Sequence, residues 1–145
     1  MKAVVQRVKY AMLDCDGRRV SDIKIGLCVY FGVAKGDDFF KAEYLAKKIS
    51  TLRIFEDVNG KMNLSVKDID GEILVISQFT LLANVSHGNR PSFSFAEDSQ
   101  KANEMYDFFV EKLEYNGVSV KTGVFGGDMK ITQCNDGPVT IIYDV

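Results

Sequence analysis

Only two stretches of this 145-residue chain repeat their apolar residues at a helical period, and that scarcity limits the possible folds more than any other feature. From Phe39 to Leu52, the residues Ala42, Leu45, Ala46, Ile49 and Leu52 fall on one face, and Asp37 or Asp38 can cap the first turn. From about Ser99 to Tyr115, Ala102, Met105, Tyr106, Phe109 and Leu113 do the same, with Asn116-Gly117 as the stop. Elsewhere the apolar runs are short and rich in β-branched residues. Residues 2–8, 10–14 and 18–23 read as strands, the last two around the hairpin signal Asp16-Gly17. Further extended segments are Lys24–Val33, Arg53–Phe55, Glu72–Leu82 (the longest strand expected), Val118–Val124, Lys130–Cys134 and Val139–Tyr143. About eight strands and two helices without regular alternation predict an α+β protein, with a mainly antiparallel sheet or barrel and two helices covering it. No repeat, low-complexity tract or linker interrupts residues 1–145, which read as a single domain.

Composition excludes several classes of function. The longest apolar-plus-glycine run, Ile25–Ala34, is too short to span a bilayer. The opening MKAVVQRVKYAML places Gln6, Arg7 and Lys9 where a signal peptide needs an apolar core, so a cytoplasmic, unprocessed protein without a membrane partner is expected. Cys15, Cys28 and Cys134 are odd in number and widely spaced, which disfavours a disulfide framework or zinc site. A net charge of −2 disfavours a coat for long nucleic acid, but not a grip on one short end.

Familiar catalytic patterns are missing. The single histidine, His87, sits in the polar stretch NVSHGNR, and no G-x-S-x-G, H-E-x-x-H or P-loop pattern occurs. Gly123-Val-Phe-Gly126-Gly127 reads as a turn between strands. Neither a metal nor a cofactor is expected. Two features remain. SQFTL (Ser77–Leu81) puts three polar residues at the end of an apolar strand, where hydroxyl and amide groups demand partners. Gly137-Pro138 interrupts an otherwise good strand, although proline cannot donate to a ladder.

Taken in order, SQFTL, GNRPSF, FGGDM and NDGPVT make the chain resemble a D-aminoacyl-tRNA deacylase of the D-tyrosyl-tRNA deacylase family. The likeness runs from AVVQRV through LRIFED and GKMNLS to the last strand. It implies a homodimer with a two-sheet, barrel-like fold that hydrolyses the ester between a D-amino acid and the terminal adenosine of tRNA. It also implies a cis Gly137-Pro138 that reaches into the other subunit's site, braced by Arg7, with Phe125 and Met129 beside the adenine. Ser77, Gln78, Phe79 and Thr80 then form the catalytic segment.

Glycine lets the backbone approach a ligand closely. Two main-chain carbonyls at Gly137-Pro138 could hold the substrate's ammonium, so that an L side chain collides with the backbone and glycine is accepted. The N–H groups of Phe79 and Thr80 are the oxyanion donors on this reading. The substrate's own 2′-hydroxyl assists the water, with Thr80 as the competing nucleophile. Lys35, Lys47, Lys48 and Arg90 are candidates for contacts to tRNA phosphates, whereas His87 departs from the lysine that the family leads one to expect. Two alternatives stay open: a tRNA-editing hydrolase of the threonyl-tRNA synthetase editing-domain type, and a non-catalytic nucleic-acid-binding protein.

Overall fold

The computed structural model describes residues 1–145. Its organising element is the long strand β1 (Lys2–Cys15). One edge of β1 pairs antiparallel with β3 (Gly26–Gly32) over residues 2–8 and with β2 (Arg18–Ile23) over residues 11–15. Its other edge is covered by β8 (Met129–Asp144), also antiparallel. The β1–β2 hairpin turns at Asp16 (φ 51°) and Gly17 (φ 72°), the two successive positive φ values that an Asp-Gly hairpin requires.

Beyond β3 the sheet becomes parallel, through β6 (Glu72–Ser77) to β7 (Ser119–Thr122). Within this sheet the expected antiparallel character therefore holds for the pairs that β1 makes with β2, β3 and β8. Strand β6 is buried on both faces from Ile73 to Ile76, as central parallel strands are. The sheet then curls back on itself. The Ser21 hydroxyl of β2 donates to the Thr122 carbonyl of β7 at 2.6 Å, and Lys121 Nζ donates to the Asp22 carbonyl at 2.6 Å. The result is a nearly closed, barrel-like sheet of six strands. A two-stranded ribbon, β4 (Phe55–Glu56) with β5 (Met62–Leu64), stands apart from it.

Helices α1 (Phe39–Ser50) and α2 (Ser99–Tyr115) form where the apolar period places them. Asp38 caps α1 by accepting from Lys41 N, and Asp98 caps α2 by accepting from Gln100 N and Lys101 N. Their apolar faces, with Leu45, Ile49, Phe109 and Leu113 fully buried, complete a core of 21 residues against Val5, Val29, Phe31 and Val75. A second cluster of seven, including Leu13, Cys28, Leu74 and Ile76, fills the other face of the sheet.

Two sequence expectations are corrected. Strand β6 ends at Ser77, and Phe79–Leu82 is a 3-10 helix rather than the end of the longest strand. Lys130–Cys134 and Val139–Tyr143 are not separate strands, because β8 runs through Gly137-Pro138, whose bond is cis. The ladder survives because Gln6 faces Thr140 while Val8 faces Asn135, so residues 136–139 bulge opposite Arg7 alone.

Candidate active site

A cavity of about 540 Å³ opens where the parallel strands end. Carboxyl ends of parallel strands are where open α/β sheets commonly bind ligands, because the connections there diverge. Here Gly32 closes β3, Ser77 closes β6, and the turn Phe125–Met129 leads from β7 into β8. The first turns of α2 complete the wall with Ser99, Ala102 and Tyr106. The cavity thus joins two segments far apart in the chain, Ser77–Phe79 and Phe125–Met129.

The change from strand to 3-10 helix at Gln78 sets the main-chain geometry. Gln78 N still donates to the Phe31 carbonyl at 2.8 Å, the last bond of the sheet. Leu81 N donates back to the Gln78 carbonyl at 3.3 Å, the first bond of the 3-10 turn. The N–H groups of Phe79 and Thr80 lie between these two bonds, ahead of any intrahelical acceptor, as at every helix start. Gln78 Nε2 donates to Thr80 Oγ1, so the polar side chains of SQFTL partly satisfy one another. Phe79 lines the cavity, whereas Thr80 is exposed and does not.

Tyr106 is the buried polar group of the opposite wall. Its hydroxyl donates to the Val75 carbonyl at 2.9 Å, and burial pushes its pKa up, so it remains a neutral phenol. Its ring lies 6.0 Å from that of Phe125. The two carboxylates at the rim are each held by a lysine: Glu97 by Lys101 at 2.8 Å and Asp128 by Lys130 at 2.7 Å. The Lys101 bond holds the Glu97 carboxyl below its usual range. The cavity therefore has apolar and aromatic walls, with Ser77, Gln78 and Phe79 along one side of it. No group of His, Cys, Asp and Glu side chains is placed to hold a metal ion. No helix is long and apolar enough to cross a membrane.

Arg7, Gly137 and Pro138 form a second assembly, outside this cavity. Arg7 is 7% exposed; its Nη1 donates to the Ile54 carbonyl at 2.6 Å and its Nε to the Asp136 carbonyl at 3.1 Å. The Asp136 carboxylate lies 3.5 Å from Nε. Gly137 has φ 122°, and a Cβ there would stand 3.0 Å from Val139 N and 3.1 Å from Arg7 Nη2. Gly137 and Pro138 themselves are exposed. Of the proposed phosphate contacts, Lys35, Lys47, Lys48 and Arg90 are all exposed, as is His87. Sequence reasoning missed Tyr106 and Glu97 as cavity residues. A hydroxyl on an otherwise apolar helical face was the available signal for Tyr106; Glu97 had none.

Fold and cavity together define a small α+β protein with a cavity at the ends of its parallel strands. The model of the family "D-Tyr-tRNA(Tyr) deacylase" matches residues 4–144. A D-aminoacyl-tRNA deacylase of Aquifex aeolicus is 53% identical over 99% of this chain and 97% of its own length. That of Lactobacillus acidophilus is 48% identical over the whole of both chains. Among solved structures, the "c-Myc DNA Unwinding Element Binding Protein" superposes with a TM-score of 0.93 at 41% identity, covering 100% of this chain and 99% of that one. A "probable eukaryotic D-amino acid tRNA deacylase" shares the fold, with a TM-score of 0.85 at 16% identity over 99% and 98% of the two chains. The chain belongs to the D-aminoacyl-tRNA deacylase family, hydrolases that act on aminoacyl-tRNA.

Proposed function

We propose that this protein works as a cytoplasmic homodimer of single-domain subunits that hydrolyses D-aminoacyl-tRNA and glycyl-tRNA and leaves L-aminoacyl-tRNA intact. What carries this reading is the break at Gln78, which frees the Phe79 and Thr80 N–H groups beside an aromatic cavity. Phe125 and Met129 receive the terminal adenine, and Ser77 and Gln78 shape the floor. Water adds to the ester carbonyl, and the new oxyanion accepts from the two N–H groups. The carbon–oxygen bond to ribose then breaks, and the ribose oxygen takes the proton. One oxyanion donor is worth about 2.7–4 kcal/mol in other hydrolases. An aminoacyl ester is already activated, and the neighbouring 2′-hydroxyl positions the water, so no side-chain nucleophile is needed. The bond from Gln78 to the Thr80 hydroxyl supports a supporting role for Thr80 rather than attack by it.

Stereochemical choice falls to the Gly137-Pro138 corner of the partner subunit. Its carbonyls hold the α-ammonium, and an L side chain collides with its backbone. Two observations support an exchange between subunits. The corner is exposed and stands outside the 540 Å³ cavity of its own chain. Strand β8 pairs only with β1 and has no buried residue along its whole length, the condition of an edge awaiting a neighbour. The test is hydrolysis of matched D- and L-aminoacyl-tRNA by the purified protein. Release of the D-amino acid alone is expected, and equal release of both refutes the reading. The name of the relative that superposes with a TM-score of 0.93 favours a second reading, binding to DNA. Duplex binding with no ester turnover would support it.

A further inference from the structure

We propose that the exposed ring pair Phe79–Phe93 is a stacking platform for the nucleobase that precedes the terminal adenosine, a subsite that rests on the deacylase reading above. Among the aromatic residues lining the cavity, Phe31 and Tyr106 are buried and Phe125 is half-buried, whereas Phe79 is 58% exposed. Its ring stands at the rim, where a strand of RNA must pass if its last base is inside. Phe93 meets it edge to face, with ring centroids 5.0 Å apart and an interplanar angle of 70°, and is itself 37% exposed. Such an arrangement leaves ring faces open to a third planar group.

The platform is fixed from behind. Asn84 and Ser92 exchange two main-chain bonds of 2.7 and 2.9 Å, closing the loop of residues 85–91 and anchoring the chain immediately before Phe93. That loop also presents Arg90, exposed and three residues from Phe93, where a cation can meet the phosphate between two nucleotides. Neighbouring Phe95 is exposed too, but turns to a separate small hollow with Leu82 and Lys2, so it is not part of the platform. Aromatic rings beside a cation on an accessible rim are the means by which proteins hold single-stranded RNA without reading its sequence.

The chain has no tryptophan, so Phe93→Trp introduces a single indole at the platform. Its fluorescence should be quenched saturably by the RNA trinucleotide CCA and left unchanged by adenosine alone. No quenching by the trinucleotide, or equal quenching by both, overturns the proposal. A second arm reads catalysis with two substrates, D-aminoacyl-tRNA and D-aminoacyl-adenosine, which lacks the preceding nucleotides. Phe93→Leu, which keeps apolar bulk without a π-face, should raise KM for the tRNA about tenfold with kcat retained. The small substrate should show no such rise, and Phe93→Tyr should restore the tRNA value. An equal rise for both substrates assigns Phe93 to loop packing and overturns the platform. Wild-type protein that cleaves neither substrate refutes the deacylase reading instead, and the quenching arm then decides the platform by itself.

Discussion

Replacing Arg7 with alanine is the perturbation whose cost can be worked out most fully. Arg7 faces four residues of β8 by itself, and its guanidinium spans the gap between the Ile54 and Asp136 carbonyls. Hydrogen bonds from a charged donor contribute about 1.5–3 kcal/mol each, and a buried acceptor left unpaired costs about 1–3 kcal/mol. The Asp136 side of the contact is partly exposed, so its ion pair adds little. Loss of both bonds should therefore destabilise the fold by about 3–6 kcal/mol, a large share of the ~5–15 kcal/mol typical of a whole domain. Lysine cannot reach both carbonyls with one ammonium, so Arg7→Lys should fall between wild type and Arg7→Ala. Urea unfolding at a fixed protomer concentration measures this, and an unchanged slope shows that only stability has moved. Without urea, the surviving folded Arg7→Ala protein should begin to release L-amino acids as its corner loosens. A variant within about 0.5 kcal/mol of wild type, the range of ordinary surface changes, and with stereochemical choice intact, refutes the bracing role.

Thr80→Ala should retain substantial turnover of D-aminoacyl-tRNA, because the donor proposed at that position is the main chain; near-complete loss in folded protein would make Thr80 the nucleophile. Substrate ending in 2′-deoxyadenosine should react far more slowly, and unchanged turnover removes the RNA-assisted step. Asp37 should make the fold sensitive to acid. Burial alone would raise its pKa, but bonds from the Met1 ammonium, Lys41 Nζ and Ala34 N outweigh burial and hold it below its ordinary value of 3.8. The resulting stabilisation is present above pH 3.8 and is lost as pH falls through the lower folded value. Unfolding midpoints measured down the acid range should drop less steeply in Asp37→Asn than in wild type.

Local signals in the sequence were read correctly where local physics decides the structure. Asp16-Gly17 turns the hairpin, Asp38 caps α1, and Asn116 and Gly117 end α2 where expected. Asp37, the other candidate cap, instead holds the Met1 ammonium and Lys41. Readings failed where distant strands decide. Nothing in Lys24–Val33 or Glu72–Ser77 reveals that they pair parallel, since each residue's partner lies 46 positions away and both faces are apolar. Gly137-Pro138 looked like a break between strands because neither residue favours a ladder; the gap opposite Arg7 is what lets β8 continue. The end of β6 at Ser77 was hidden by Phe79, Leu81 and Leu82, which suit a strand and a 3-10 turn equally well. The cavity was legible only in part. The motifs supplied Ser77–Phe79, Phe125 and Met129, but the α2 wall depends on how the helix docks.

Mixed dimers provide the most direct measurement of whether each corner serves the neighbouring cavity. One protomer carries Gly137→Val, which thrusts a side chain against Val139 at φ 122°, and the other carries Phe125→Ala, which strips the aromatic wall. Each homodimer should be inactive. If the corner acts across the interface, the purified mixed dimer regains one working site, which cleaves D- but not L-aminoacyl-tRNA. If the corner acts within its own chain, both sites stay broken, and a mixed dimer as inactive as its parents contradicts the account.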